Sequence, residues 1–209
     1  MKKFPVIVLV FLLALLVCSG CTSIKRWMYE GPGRDVWQKP EEVVAALGLA
    51  PGDQIADLGS GGGYFTFPMA EGVGKTGHVY AVDVDESLLA YIAKQSEKRG
   101  LSQIETVLAP EDGLGLPDGS VDLIFLSNVF HHLPDPPDYF RRARSILRNG
   151  GRIAIIDFSG DSFPRGHATP ADEIQTQLEA AGYRLAKRYE FLERQSFQIF
   201  VVRSDEQND

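Results

Sequence analysis

Short apolar runs alternate with amphipathic stretches through most of the chain. Five runs of five to seven residues are mostly apolar, and the run at 121–127 is apolar on both faces, which is typical of strands buried inside a parallel sheet. These predicted strands are residues 54–58, 78–82, 104–108, 121–127 and 152–157. Helices are predicted from Pro40 onward and over residues 65–71, 87–99, 138–148 and 171–181. Strands that alternate with helices in this way predict an α/β fold with helix layers on both faces of a parallel sheet.

The last part of the chain breaks this alternation. Two further strands are predicted at residues 183–191 and 196–202, and the segment between them is too short for a helical crossover. They must therefore pair antiparallel. The predicted architecture is a Rossmann-like, doubly wound and mostly parallel sheet of seven strands with an antiparallel C-terminal hairpin.

The first 21 residues have the pattern of an export signal. Lys2 and Lys3 precede an apolar run at residues 6–18, which is shorter than the roughly 20 residues that span a bilayer but suits a signal peptide. The sequence that ends this run, Cys18-Ser19-Gly20-Cys21, resembles the lipobox of bacterial lipoproteins, which implies lipidation of Cys21 and anchoring to a membrane. A plain signal peptide or an N-terminal anchor helix is the alternative.

These segments define the expected organisation and location. Thr22, in place of the aspartate that retains lipoproteins at the inner membrane, favours the outer membrane of the cell envelope. Translation from Met28 would instead leave a cytoplasmic protein. The predicted segments are 1–21 for the signal peptide, 22–40 for a linker that becomes a lid, 41–203 for the folded domain and 204–209 for a tail.

The charge and the cysteine positions narrow the function classes. Without Lys2 and Lys3 the chain has 19 basic and 28 acidic residues, a net charge of −9. Because phosphate contacts need clustered Lys and Arg, this balance disfavours a nucleic-acid partner and favours a small-molecule substrate. Both cysteines lie within the first 21 residues, so the domain is expected to have no disulfide, thiol nucleophile or Cys-ligated metal.

A glycine-rich loop follows the first predicted strand. Asp57 lies near the end of that strand, and Gly59, Gly61 and Gly63 form the pattern G-x-G-x-G at the start of a helix. Glycines allow backbone amides to approach a ligand closely. A dinucleotide-binding loop needs its third glycine at position 64 or 66, where this chain has Tyr64 and Thr66. The loop therefore predicts a ligand without a pyrophosphate.

Acidic and amide side chains follow the next strands at the same sheet edge. Asp83 ends the second strand, where a carboxylate can accept both hydroxyls of a ribose, whereas Asp85 suits the N-cap of the following helix. Glu111 and Asp112 follow the third strand, within reach of an adenine amino group, and either of them could serve. Asn128 follows the fourth strand. The pattern predicts a nucleoside site.

Together these residues carry a family resemblance. The series D-x-G-x-G-x-G, acid, acid and N-x-x-H-H, with LPDGSVDLIFLSNVFHHL, resembles the class I S-adenosylmethionine-dependent methyltransferases over about residues 36–202. The segment RDVWQKPEEVV is similar to that of small bacterial members. The resemblance implies S-adenosyl-L-methionine as cofactor and methyl transfer as the activity.

The resemblance also implies roles for individual residues. Asp57 would hold the loop and the amino group of the cofactor, Asp83 the ribose, and Asn128 would face the sulfonium. Glu111 or Asp112 would meet the adenine, with Asp112 slightly favoured. The expected cofactor-binding set is Asp57, Gly59, Ser60, Gly61, Gly63, Tyr64, Asp83, Val84, Glu111, Asp112 and Asn128.

Methyl transfer itself requires few catalytic side chains. The sulfonium is already activated, so a general base is needed only where the acceptor loses a proton, and His131 or His132 could supply it. Adjacent histidines do not have metal-ligand spacing, so no metal site is predicted. The lid residues Arg34, Trp37 and Gln38 could close over cofactor and acceptor.

Location and activity are in conflict, because S-adenosylmethionine is a cytoplasmic metabolite and an exported domain lies outside its supply. The sequence therefore leaves two function classes open. One is an active methyltransferase with an unidentified small-molecule acceptor. The other is a catalytically idle envelope lipoprotein that keeps the fold for binding or assembly.

Overall fold

The structure, a computed structural model, describes residues 31, 33–110, 114–159 and 168–203 of the chain. The predicted signal peptide, Cys21, the two acids Glu111 and Asp112, and the tail at 204–209 lie outside the described residues. The elements are α1 Arg34–Gln38, α2 Pro40–Leu47, β1 Gln54–Leu58, α3 Thr66–Val73, β2 His78–Asp83, α4 Glu86–Arg99, β3 Ile104–Leu108, β4 Val121–Ser127, a 3₁₀ turn Phe130–His132, α5 Pro136–Ala143, β5 Leu147–Phe158, α6 Ala171–Ala180, β6 Tyr183–Tyr189 and β7 Gln195–Val202.

The strands form one sheet in the order β3-β2-β1-β4-β5-β7-β6. Strands β1 to β5 pair in parallel, and β7 pairs antiparallel with both β5 and β6. The predicted seven-stranded sheet with its C-terminal hairpin is confirmed. The strand order reverses between β1 and β4, and ligands of open α/β sheets bind at the carboxyl ends of strands around such a reversal.

Helices pack against apolar side chains on both faces of the sheet. One face packs on Val43 and Leu47 of α2 and on Met69 of α3. The other face packs on Phe140 of α5 and on Leu178 of α6. Two helix layers thus hold the carboxyl ends of the strands in a fixed arrangement.

The segment between β4 and β5 differs from its prediction. The helix predicted over 138–148 is α5 and spans only Pro136–Ala143, with the side chain of Asp135 accepting a hydrogen bond from the amide of Asp138 at its start. The glycines at 150 and 151, a local pattern typical of a helix end, lie inside β5 instead. Leu147 already pairs with Val121, and a register shift accommodates the residues that follow. Local glycine signals cannot distinguish a helix end from an irregular strand start.

Other element boundaries differ by at most two residues, as helix and strand ends commonly do. The helix predicted over 65–71 is α3, Thr66–Val73, and the strand predicted over 183–191 is β6, which ends at Tyr189. The capping role predicted for Asp85 is confirmed, since its side chain accepts a hydrogen bond from the amide of Ser87. Within the described ranges, no helix combines the length and the apolar character that a membrane span requires.

Candidate cofactor and acceptor site

The glycine loop connects the end of β1 to α3. The amides of Gly59 and Ser60 both donate to the carbonyl oxygen of Val82, at 2.8 and 3.1 Å, which fixes the loop to the end of β2. A Cβ at Gly59 would lie 2.3 Å from the side chain of Val129. Glycine is therefore required at this position because the loop after β4 approaches it closely.

The other two glycines of the motif have different surroundings. Both have left-handed backbones, with φ of 54° at Gly61 and 88° at Gly63. A Cβ at Gly63 would lie 2.6 Å from Phe67, whereas a Cβ at Gly61 would meet no atom within 4 Å. Gly63 therefore serves close packing, and Gly61 presents bare backbone to open space where a ligand can approach.

Asp83 lies at the end of β2, beside this loop. Its Oδ2 accepts a hydrogen bond of 2.8 Å from the amide of Gly61, and its Oδ1 accepts one of 2.9 Å from the amide of Asp85. A carboxylate offers about four acceptor positions, so two stay available for ribose hydroxyls.

Two apolar side chains flank Asp83 and stand in solvent. Val84 is 80% exposed and Leu108, which pairs with Asp83 across β2 and β3, is 49% exposed. Their position beside a ribose-binding carboxylate suits a flat adenine ring.

Asp57 is buried beneath the loop, where its Oδ2 accepts a hydrogen bond of 2.5 Å from the hydroxyl of Thr66. Burial raises its pKa to about 7; the hydrogen bond from Thr66 opposes this rise. A nearby cation lowers the pKa of a carboxyl group, so the ammonium group of an amino-acid ligand would favour the ionised form. The side chain is anchored to α3 and not to the loop backbone.

One buried hydroxyl in the loop is available to a ligand. Ser60 is 7% exposed, and its Oγ has no hydrogen-bond partner among the described residues. The orphaned hydroxyl of Ser60, the open backbone at Gly61 and the apolar pair Val84 and Leu108 fit the amino-acid and adenosyl parts of S-adenosylmethionine.

Helix α1, within the predicted lid, packs directly on the glycine loop. The Arg34 guanidinium carbon lies 3.7 Å from the ring centroid of Tyr64. The hydroxyl of Tyr64 donates to Asp35 Oδ1 at 2.6 Å, and burial together with this bond raises the pKa of Tyr64. Tyr64, expected among the cofactor residues, thus contacts the lid.

The far end of α1 reaches the carboxyl ends of β4 and β5. Gln38 is fully buried, and its amide nitrogen donates to Ser127 Oγ at 2.9 Å while its amide oxygen accepts from Arg34. The ring of Trp37 lies 5.7 Å from that of Phe158. Gln38 therefore fastens the lid to the sheet.

Asn128 follows β4 in a left-handed conformation with φ of 59°, which asparagine tolerates better than most residues. Its amide oxygen accepts a hydrogen bond of 2.5 Å from Gln195 at the start of β7. The side chain thus joins β4 to the C-terminal hairpin.

Close by, His131 forms a pair with Asp157 at the end of β5. His131 Nδ1 lies 2.8 Å from Asp157 Oδ1, and the His131 amide donates to Oδ2 at 3.0 Å. The two side chains are 6% and 0% exposed. Burial raises the pKa of Asp157, and the hydrogen bond from His131 opposes this effect. A proton held on Nδ1 leaves the lone pair on Nε2, the arrangement of a general base.

His132 lies next to this pair, and Asp157 is a site residue that the sequence did not indicate. His132 is exposed, with its ring centroid 4.1 Å from that of His131, and the pairing with Asp157 distinguishes His131 from it. Asp157 was not among the predicted site residues, although an acid at the end of an otherwise apolar strand was a signal that could have identified it. Among the residues that the structure describes, no three acidic, His or Cys side chains form a metal-binding group.

Comparisons with known proteins agree with this geometry. Residues 56–155 match a family described as a methyltransferase domain. A solved S-adenosylmethionine-dependent methyltransferase from Aquifex aeolicus is 28% identical with a TM-score of 0.77, covering 86% of this chain and 98% of that one.

Two curated relatives are methyltransferases. The arsenite methyltransferase of Halobacterium salinarum is 29% identical over 66% of this chain, and the aklanonic acid methyltransferase DauC of a Streptomyces species is 34% identical over 54%. The matches span 39% and 52% of those relatives' lengths. The fold, the loop and these matches together support a class I methyltransferase domain that uses S-adenosyl-L-methionine as its methyl donor.

Proposed function

We propose that the chain transfers a methyl group from S-adenosylmethionine to a small molecule that loses a proton as it is methylated, with His131 as the base. The observation that carries this proposal is the 2.8 Å pair between His131 Nδ1 and Asp157 Oδ1. An acceptor without a proton to lose would not require such a pair.

Each part of the site has a task in this reaction. Bound S-adenosylmethionine supplies a methyl group activated on a sulfonium. Asp83 holds the ribose hydroxyls, while Ser60 and the ionised Asp57 hold the amino-acid end. Helix α1 covers the site and excludes water. His131 Nε2 takes the acceptor proton, and Asp157 stabilises the imidazolium that forms.

A small acceptor is supported by charge and composition. The acidic surface of the chain repels polyanions such as nucleic acids. Arsenite, the substrate in the name of one relative, fits poorly, because residues 22–209 contain no thiol to hold a soft centre. The matched methyltransferase relatives give no support to a catalytically idle role.

The test compares His131→Gln with His132→Gln in the full-length protein. Each variant is incubated with methyl-labelled S-adenosylmethionine and a small-molecule extract, and label transfer is measured from pH 6 to 9. We expect His131→Gln to lose about 10²–10⁴-fold in rate and His132→Gln to stay within threefold. Asp157→Asn is expected to shift the pH profile. Equal rates for His131→Gln and the parent would refute the role of His131 as the general base.

We also propose that Cys21 is lipidated and that the protein is anchored in the cell envelope, where methyl transfer requires a supply of S-adenosylmethionine outside the cytoplasm. The basic start, the short apolar run and the lipobox-like sequence support this location. Palmitate labelling that disappears in Cys21→Ala, together with cell fractionation, tests it. A soluble, unlabelled protein that begins at Met28 is the contrary outcome.

A further inference from the structure

Strand β7 begins with polar residues in a position where an interior strand is usually apolar. Gln195, Ser196 and Gln198 are 3%, 8% and 0% exposed. Gln195 Oε1, Ser196 Oγ and both amide atoms of Gln198 have no hydrogen-bond partner among the described residues. Buried polar atoms are almost always paired in folded proteins, so this group is missing a partner.

The strand register places this group beside Asp157, the partner of the proposed general base His131. Because β7 is antiparallel to β5, it begins at the sheet edge where β5 ends. Ser196 pairs directly with Asp157, and Gln198 pairs with Ile155. Side chains two residues apart share a face of the sheet, so Ser196 and Gln198 lie on the same face as Asp157, as its direct and diagonal neighbours.

The charge around the group indicates what kind of partner is missing. Arg188 of β6 pairs with Gln198, and its Nη2 donates to Asp172 and Gln175 at 2.9 and 3.1 Å. Its charge is thus compensated by Asp172, while its buried Nε has no hydrogen-bond partner among the described residues and offers one more donor. Ser196 and Gln198 are neutral and offer both donors and acceptors, which suits an uncharged partner with adjacent oxygen atoms.

We propose that Ser196 and Gln198 recognise the methyl acceptor, an uncharged molecule with a hydroxyl group beside a second oxygen. This inference rests on the proposed function. The acceptor hydroxyl gives its proton to His131 Nε2 while its oxygen forms the new bond to the methyl carbon. The bond from sulfur to that carbon breaks, and its electron pair stays on sulfur, which leaves neutral S-adenosylhomocysteine.

The test uses Gln198→Leu in the full-length protein, with Gln103→Leu as the matched control. Gln103 is also buried, but its amide nitrogen donates to the carbonyl of Ala70 at 2.8 Å. We expect Gln103→Leu to lower the melting temperature, and Gln198→Leu to leave it unchanged or raise it. A fall equal to that of Gln103→Leu would overturn the proposal, because it would mean that the Gln198 amide is paired structurally, for example by a buried water.

Binding of a probe provides the second measurement. Catechol, which has adjacent hydroxyls, and toluene, of similar size, are titrated by saturation-transfer NMR with S-adenosylhomocysteine present. We expect the parent to bind catechol in preference to toluene. We expect Gln198→Leu to lower the affinity for catechol at least tenfold. No catechol binding to the parent, or equal binding to the variant, would overturn the proposal.

The same samples separate this inference from the proposed function. Affinity for S-adenosylhomocysteine, measured by calorimetry, is expected to be the same within twofold in the parent and in Gln198→Leu. A parent that binds no S-adenosylhomocysteine contradicts the proposed function. A parent that binds it normally but shows no effect of Gln198→Leu on catechol contradicts only the acceptor site.

Discussion

The amide of Gly61 donates a 2.8 Å hydrogen bond to the carboxylate of Asp83, 22 residues further along the chain. This bond joins the glycine loop after β1 to the acid at the end of β2. The two motifs that indicate the cofactor are therefore one structural unit, and a change in the acid affects both.

Asp83→Ala is expected to weaken the binding of S-adenosylmethionine by about 100- to 10,000-fold, because two hydrogen bonds from the ribose to a charged group are lost. Calorimetry measures the affinity. Asp85→Ala is the control, since loss of this N-cap lowers the unfolding free energy by about 1 kcal/mol and leaves the affinity within threefold. Equal affinity in Asp83→Ala and the parent would contradict the assigned role.

The pKa of Asp57 makes stability depend on pH. Burial raises this pKa from 3.8 to about 7, so between these values the folded protein keeps a proton that the unfolded chain has released. The unfolding free energy should therefore fall as pH rises from 4 to 7, by up to about 4 kcal/mol. Asp57→Asn, which can still accept from Thr66, should remove the contribution of Asp57 to this slope, leave that of the buried Asp157, and be the more stable protein at pH 8.

Urea unfolding between pH 5 and 8 measures this effect. Asp118→Asn, at an exposed position, is the control and should keep the slope of the parent. A slope that persists unchanged in Asp57→Asn would assign the pH dependence to another group.

The two glycines of the loop should respond differently to alanine. Gly63→Ala places a Cβ 2.6 Å from Phe67 in a left-handed backbone, and we expect it to lower the unfolding free energy by about 2–4 kcal/mol. Gly61→Ala has the backbone strain alone. It should lower the unfolding free energy by about 1 kcal/mol and weaken the binding of S-adenosylmethionine. Unfolding and calorimetry of both variants check the contrast, which fails if Gly61→Ala is the less stable.

The bond between Gln38 and Ser127 predicts a coupling between lid and sheet. Ser127→Ala leaves the buried Gln38 amide without its acceptor and should cost about 1–3 kcal/mol. The same change made in Gln38→Leu should cost almost nothing. Thermal unfolding of the four proteins measures this coupling, and additive effects would show that the bond contributes little.

Much of the fold could be predicted because its signals are local. Each buried strand is a short apolar run, and the glycine loop with Asp83 lies within 27 consecutive residues, 57–83. The start of β5 could not be predicted, because Leu147 is held by its pairing with Val121 and no local pattern encodes that partner.

The acceptor side was harder to predict for the same reason. His131 and Asp157 are 26 residues apart and become a pair only where the 3₁₀ turn after β4 meets the end of β5. The role of Gln198 depends on which strand lies beside β7, and this choice is made by tertiary packing. From the sequence alone, His131 and His132 were equally good candidates for the general base.

The antiparallel course of β7 has a consequence for how such a domain can diversify. The described groups that suit the methyl donor lie between Asp57 and Leu108, whereas those proposed for the methyl acceptor lie from His131 onward. A genetic crossover between these halves would exchange the residues that bind the acceptor and keep those that bind the methyl donor. New methylated products could then arise without any change in the nucleoside-binding residues.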